Sequence, residues 1–166
     1  DVTVFEGVSL RVEPGQSLIV TGSDQVAARA LLLTLAGRIQ PTDGRLRVGG
    51  HLLPGRSAWV RSRVGLALLG ESADPVADVR RAAGGRGGIV MIDGADRLAD
   101  TATRDRVAAV LWDASLEASV TVVISATDPE TARALLASAG RTDVPVLELT
   151  PPAEPAPALS TTEVNA

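Results

Sequence analysis

What this chain lacks limits its chemistry as firmly as what it has. It contains no Cys, no Lys (all 16 basic residues are Arg) and a single His. That removes thiolate metal sites, thiol chemistry, Schiff bases and ammonium contacts to phosphate. The one imidazole, His51, follows Gly49-Gly50 and reads as a solvated loop residue rather than a base. Asp93 closes the apolar run IVMID, where a buried strand would deliver it to a site. One carboxylate without a partner hydroxyl makes a poor divalent-cation site, so a hydrogen-bonded or capping role is expected and no metal site. Gly22-Ser23-Asp24 links the apolar run SLIVT to an Ala- and Leu-rich segment. Such a strand-to-helix turn offers free amides to an anion, but Asp24 at its mouth would repel one, so an inherited turn is the plainer expectation. Trp59 lies in an Arg-flanked stretch and reads as an exposed partner anchor, Trp112 as core. Arg61, Arg63, Arg80 and Arg81 could form a basic edge for a membrane surface or an acidic partner, with a solvated face as the default reading.

A scaffold must position these residues. The chain has 166 residues, 45% of them hydrophobic and 22% charged, which fits one soluble globular domain. No apolar run approaches the roughly 18 residues of a membrane span. A net charge of −4 argues against a general binder of phosphate backbones, so no nucleic-acid partner is expected. The opening DVTVFEGVSLRV alternates apolar and polar residues and predicts a bent strand or hairpin. A turn at 13–16 precedes a buried strand at 17–21. A helix over 25–35 follows, capped by Asp24 and closed by Gly37. Further strands are expected at 45–50, 61–69, 89–93, 120–125 and 144–149, and helices at 74–83, 105–114 and 129–139; the stretch 51–62 resists assignment. Strands alternating with helices after a β-rich start imply an α/β fold with a mostly parallel sheet and a small N-terminal antiparallel layer. The segment PPAEPAPALSTTEVNA, 151–166, has the composition of a disordered tail. The chain opens on Asp1 without Met or a leader-like segment, and the expectation is either an excised domain or a processed product.

Four strings stand in a familiar order. FEGVSLRVEPGQSLIVTG, LLLTLAGRIQPTDGRLRVGG, IVMIDGADRLAD and VTVVISATDPETA resemble, in turn, four parts of ATP-binding cassette (ABC) transporter nucleotide-binding domains. These are the strands leading to the phosphate loop, the helix and return strand after it, the Walker B strand with its D-loop, and the strand ending at the switch residue. The resemblance covers about 5–150 and implies a P-loop NTPase-like three-layer core over 1–150.

Set against that family, the reactive positions are changed. A working phosphate loop has Gly, four residues, then Gly-Lys-Ser/Thr: amides and Lys hold the phosphates, and the hydroxyl holds magnesium. The matching residues are Gly22, Ser23, Asp24, Gln25, Val26, Ala27, Ala28, Arg29 and Ala30. Ala27 replaces the second Gly, Ala28 the Lys and Arg29 the hydroxyl, with Arg29 expected to point away from the amides. Losing the ammonium removes a charge-assisted contact worth about 1.5–3 kcal/mol. Asp93 matches the Walker B Asp, Gly94 stands where the family has its catalytic Glu, Asp100 matches the D-loop Asp beside an extra acid at Asp96, and Thr127 replaces the switch His. Near Gly70 the family has a Gln. The span from Gly70 to Asp93 is too short for the helical subdomain carrying the signature motif LSGGQ, and that string is absent. The family's adenine-stacking aromatic, ahead of Phe5, is missing too.

The resemblance therefore implies an inactive ATPase-like domain with no catalytic residue and no resident cofactor. It would serve as a structural or regulatory module at the inner face of a membrane, bound to a membrane protein or to the rest of its own chain and not inserted itself. The alternative is a half of an asymmetric ATPase pair that binds Mg-ATP weakly without hydrolysing it.

Overall fold

The computed structural model describes residues 5–22 and 24–150; the first four residues, Ser23 and the segment 151–166 lie outside the described residues. The elements run in the order β1 (Ser17–Gly22), α1 (Gln25–Leu35), β2 (Leu46–Val48), β3 (His51–Leu53), α2 (Ser57–Arg63), β4 (Val64–Leu68), α3 (Pro75–Ala83), β5 (Ile89–Asp93), α4 (Thr101–Glu117), β6 (Thr121–Ser125), α5 (Pro129–Ser138) and β7 (Val146–Leu149), with 3-10 turns at Leu69–Glu71 and Ala95–Arg97. Five strands form one parallel sheet in the order β4-β5-β6-β1-β7. The strand leading to Gly22 is thus separated from the strand ending in Asp93 by β6 alone.

Alternation along each buried strand divides the core between the two faces of the sheet. Ile19, Val90, Ile92, Val122 and Ile124 pack under α3, α4 and α5 with Val79, Leu111 and Leu136. Leu18, Val20, Met91 and Val123 face the other way, under α1 and α2 with Leu32 and Val60. The result is the expected three-layer α/β core. Its helices begin where short acids cap them: Asp24, Asp74, Asp100 and Asp128 each accept a bond from a first-turn amide.

The small antiparallel sheet is present and pairs β2 with β3; among the described residues it includes no part of the segment before Ser17. Residues 5–12 take no regular structure. Phe5, Val8, Leu10 and Val12 nevertheless pack against the α1 side of the core. Their alternation records one-sided burial, which does not require strand pairing. The unassigned stretch resolves into β3 and α2, and α4 starts four residues earlier than expected because Asp100 caps it. His51 is half-buried in β3 and not in a solvated loop.

The two tryptophans exchange their expected roles. Trp59 is half-buried, its ring 3.7 Å from that of His51 and beneath the Arg63 guanidinium at 5.1 Å. It joins the α1-side core instead of standing free as an anchor. Trp112 is 47% exposed, because the buried stripe of α4 is Val107, Ala108 and Leu111 and the indole lies across Gly140. Leu136 is fully buried, so Leu136→Ala should lower unfolding stability by about 2–5 kcal/mol in a urea titration, and Trp112→Ala, at its half-exposed site, by less.

Candidate functional site

Parallel strands deliver their carboxyl ends to one edge of the sheet, the usual place for a ligand. Here those ends are Gly22, Asp93 and Ser125, joined by the turn after β4. Together with Gln25, Arg29, Glu71 and Arg97 they line a cavity of about 310 Å³. Gly22, Gln25, Val26, Ala28, Arg29, Asp93 and Gly94 all reach its wall, and Thr127 joins it through Gln25. Asp100 and Trp59 do not line it. Ser23 lies outside the described residues.

The cavity's polar groups are already partnered, largely by one another. Asp24 Oδ1 accepts from the Val26 amide at 2.7 Å. A carboxylate of the chain therefore holds a first-turn amide of α1 that a bound anion would otherwise take. Gln25 Nε2 donates to Thr127 Oγ1 at 2.6 Å and to Asp96 Oδ2 at 3.0 Å, while its Oε1 accepts from Arg97 Nη2. Thr127 donates its amide to Asp96 Oδ1 at 3.1 Å, and its carbonyl accepts from Thr21 Oγ1 at 3.1 Å. One amide side chain thus ties the start of α1 to the segments following β5 and β6.

Deeper in, Ser125 Oγ donates to Asp93 Oδ1 at 2.7 Å, and the Gly94 amide donates to Ser125 Oγ at 3.0 Å. The other Asp93 oxygen lies 3.8 Å from Arg29 Nε, and Arg29 Nη2 is ion-paired with Glu71. Arg29 therefore reaches across the cavity to Asp93 and Glu71, and its ion pairs go to these carboxylates and not to the loop amides. Gly94 is left-handed at φ 83°, and a Cβ there would meet Arg97 Cγ at 3.0 Å, so a side chain at this position brings strain as well as a contact. Gly22 is constrained differently: a Cβ would lie 3.0 Å from the Leu149 carbonyl, because β7 packs against it. Its small size is explained by the sheet alone.

No family model matches the chain. Over 62 residues it is 42% identical to a Methanopyrus kandleri protein named as an ABC transporter ATP-binding protein, MK0182, covering 37% of this chain and 23% of that one. Over 78 residues it is 32% identical to the Nod factor export ATP-binding protein I of Paraburkholderia xenovorans, covering 47% and 26%. The matched stretches are thus no more than about a quarter of either relative's length. Its fold superposes on cbiO1 from Clostridium perfringens, described as part of the ABC transporter complex cbiONQ, with a TM-score of 0.63 at 11% identity, over 89% of this chain and 78% of that chain. It also superposes on MJ0796, a bacterial ABC transporter cassette solved as a dimer, with a TM-score of 0.58 at 12% identity, over 78% and 82%. The chain has the build of an ABC nucleotide-binding domain.

Within this fold some of the residues aligned with the family's motifs come together. Gly22, Gln25, Val26, Ala28, Arg29, Asp93 and Gly94 line one cavity and Thr127 bonds to Gln25 beside it, whereas Asp24, Ala27 and Ala30 do not line it and Asp100 stands apart as the cap of α4, accepting from the Thr103 amide at 2.7 Å. Sequence reasoning missed Glu71 and Arg97. Glu71 was within reach, since it follows Gly70 at the place of the family's Gln; nothing local marks Arg97.

The bonds from the Thr103 amide and hydroxyl hold the Asp100 carboxyl below the usual aspartate range. A depressed folded-state pKa contributes stability above the unfolded value, about 4, and that contribution is lost as pH falls through the folded one. Asp100→Asn should lower the thermal midpoint at neutral pH, and the gap from the parent chain should narrow as the pH falls below the ordinary aspartate range, as followed by circular dichroism.

Proposed function

We propose that this cassette core has given up nucleotide hydrolysis and serves as a structural or regulatory module of a larger, membrane-associated transport complex. The observation that carries this reading is the Arg29 guanidinium, which lies 3.8 Å from Asp93 and pairs with Glu71. In the family a hydroxyl at the Arg29 position and the Walker B Asp hold magnesium between them. Here the chain's own cation stands beside the Asp, and a divalent ion would have to displace it against like-charge repulsion.

Three further features support the reading. Ala28 offers no ammonium to phosphate, and Asp24 holds the Val26 amide. Gly94 supplies no base to polarise water. Between Gly70 and Asp93 there is one helix, α3, and no signature motif with which a second copy of this chain would close over ATP. The named relatives are transporter ATP-binding proteins, so the partner we propose is a membrane protein or the remainder of this chain's own polypeptide, with the domain at the inner face of the membrane. No catalytic residue and no resident cofactor belong to this reading.

A second reading draws on the cavity itself, which remains open with Arg29 and Arg97 in its wall. On that reading the domain holds Mg-ATP weakly as the silent half of an asymmetric pair. Titration calorimetry with millimolar Mg-ATP separates the two. The parent chain should give neither heat nor a thermal shift, whereas a saturable heat would establish the second reading. Replacing Ala27→Gly, Ala28→Lys and Arg29→Ser together should bring Mg-ATP binding into the measurable range, still without turnover because Gly94 is unchanged.

A further inference from the structure

The charge of this chain is unevenly placed. Residues 38–63 hold six arginines, Arg38, Arg45, Arg47, Arg56, Arg61 and Arg63, against one carboxylate, Asp43, giving a formal +5 within a chain of −4. All six are exposed. None forms an ion pair among the described residues, where the five pairs use Arg11, Arg29, Arg81 and Arg133. Asp43 forms no ion pair with any of them among the described residues, and its carboxylate accepts from the adjacent Gly44 amide at 2.6 Å.

The arginines lie in or beside the β2–β3 hairpin and α2, which meet where the His51 and Trp59 rings are 3.7 Å apart, with Arg38 following Gly37, itself packed on α2. The inward residues of the hairpin are Val48 and Leu53, both buried. Arg45 and Arg47 alternate to the outer side, where Arg47 is in register with Leu52. Leu52 is 52% exposed and Ile39, next to Arg38, is 44% exposed. The outer surface therefore joins unpaired guanidinium groups to two projecting aliphatic side chains. It does not line the cavity at the strand ends.

We propose that this layer is a docking surface for an anionic lipid bilayer. Guanidinium groups pair with phosphate and carboxylate oxygens, and a polybasic surface beside an anionic leaflet contributes about 1 kcal/mol per basic residue, about a fivefold gain in partitioning. The arginines come from a loop, a strand, a turn and a helix and converge on no single recess, which suits a diffuse negative surface better than one peptide or strand. Leu52 and Ile39 would sit at the headgroup boundary. The acidic remainder of the chain, formally −9 by difference, would orient away from the bilayer. No helix of the described residues is long and apolar enough to cross a membrane, so the contact is peripheral. The proposal concerns a face that the nucleotide question does not touch, and it stands whether or not the cavity takes ATP.

Co-sedimentation of the full chain with vesicles tests it. The chain should partition onto phosphatidylcholine vesicles containing about 30% phosphatidylserine, remain in solution with phosphatidylcholine alone, and be released as salt shortens the screening length to about 3 Å at 1 M. Arg45→Ser with Arg47→Ser should lower the partition coefficient about thirtyfold, and Arg61→Ser alone about fivefold. Arg106→Ser with Arg133→Ser, which removes the same charge from the other face, should leave it within about twofold. Circular dichroism should show all four chains folded alike. Equal retention on neutral and anionic vesicles overturns the proposal, as does an equal loss in the α4–α5 control. Binding to polyglutamate or duplex DNA with anionic vesicles left empty overturns it as well.

Discussion

A guanidinium set beside a strand-terminal carboxylate organises the cavity edge of this molecule. Asp93 is carried there by β5, an apolar strand buried on both faces, and its side chain is only 14% exposed. A carboxylate so placed requires compensation. Ser125 donates one bond to it, and Arg29 stands at 3.8 Å with its far end held by Glu71. The compensation arrives from two elements, β6 through Ser125 and α1 through Arg29, and all of it belongs to the chain. The site therefore forms without waiting for a ligand, in contrast to a loop whose geometry is completed by phosphate.

The same self-sufficiency extends to the mouth of the cavity. Asp24 serves the first turn of α1, and Gln25 joins Arg97, Asp96 and Thr127 into one network. Segments that in a nucleotide-responsive cassette would answer to bound phosphate are here connected through a side-chain amide. Such a network favours one arrangement of the sheet edge. A switch needs two arrangements and a ligand that binds them unequally. On the reading proposed above, a module with one arrangement offers its partner a constant surface.

How far the fold could be read from sequence follows from where each element is buried. Strands covered on both faces, such as Thr121–Ser125, are continuous apolar runs, and helices opening on Asp24, Asp74 or Asp128 carry their own start signals. The misreadings lie where pattern and geometry separate. Alternation at 5–12 records contact with the core but no ladder. β3 and α2 are too short for a period to emerge, so neither His51 nor Trp59 could be placed. The indole of Trp112 belongs to a long helix whose apolar stripe passes beside it. Within the site, the matched motif residues convey which groups were exchanged but not what the new ones touch. Arg29 finds Glu71 42 positions away and Gln25 finds Thr127 102 positions away, contacts that exist only once the sheet has assembled.

The cavity and the basic layer also divide the molecule's electrostatics. At the strand ends, Arg29 and Arg97 stand among Asp93, Glu71, Asp96 and Asp24, and each guanidinium is bonded within the network. Charges compensated this closely attract little at a distance, because their fields cancel within the screening length. Over 38–63 the opposite holds: six exposed arginines share the segment with a single carboxylate, Asp43, and none of them is ion-paired among the described residues, raising the cost of the isolated fold slightly through self-repulsion. A chain with 20 acidic residues had carboxylates enough to neutralise that layer. An exposed, uncompensated face on a molecule whose interior site is so fully compensated is where long-range attraction is concentrated. On the proposal above it is this face, rather than the strand-end cavity, that sets the molecule's orientation toward a charged partner.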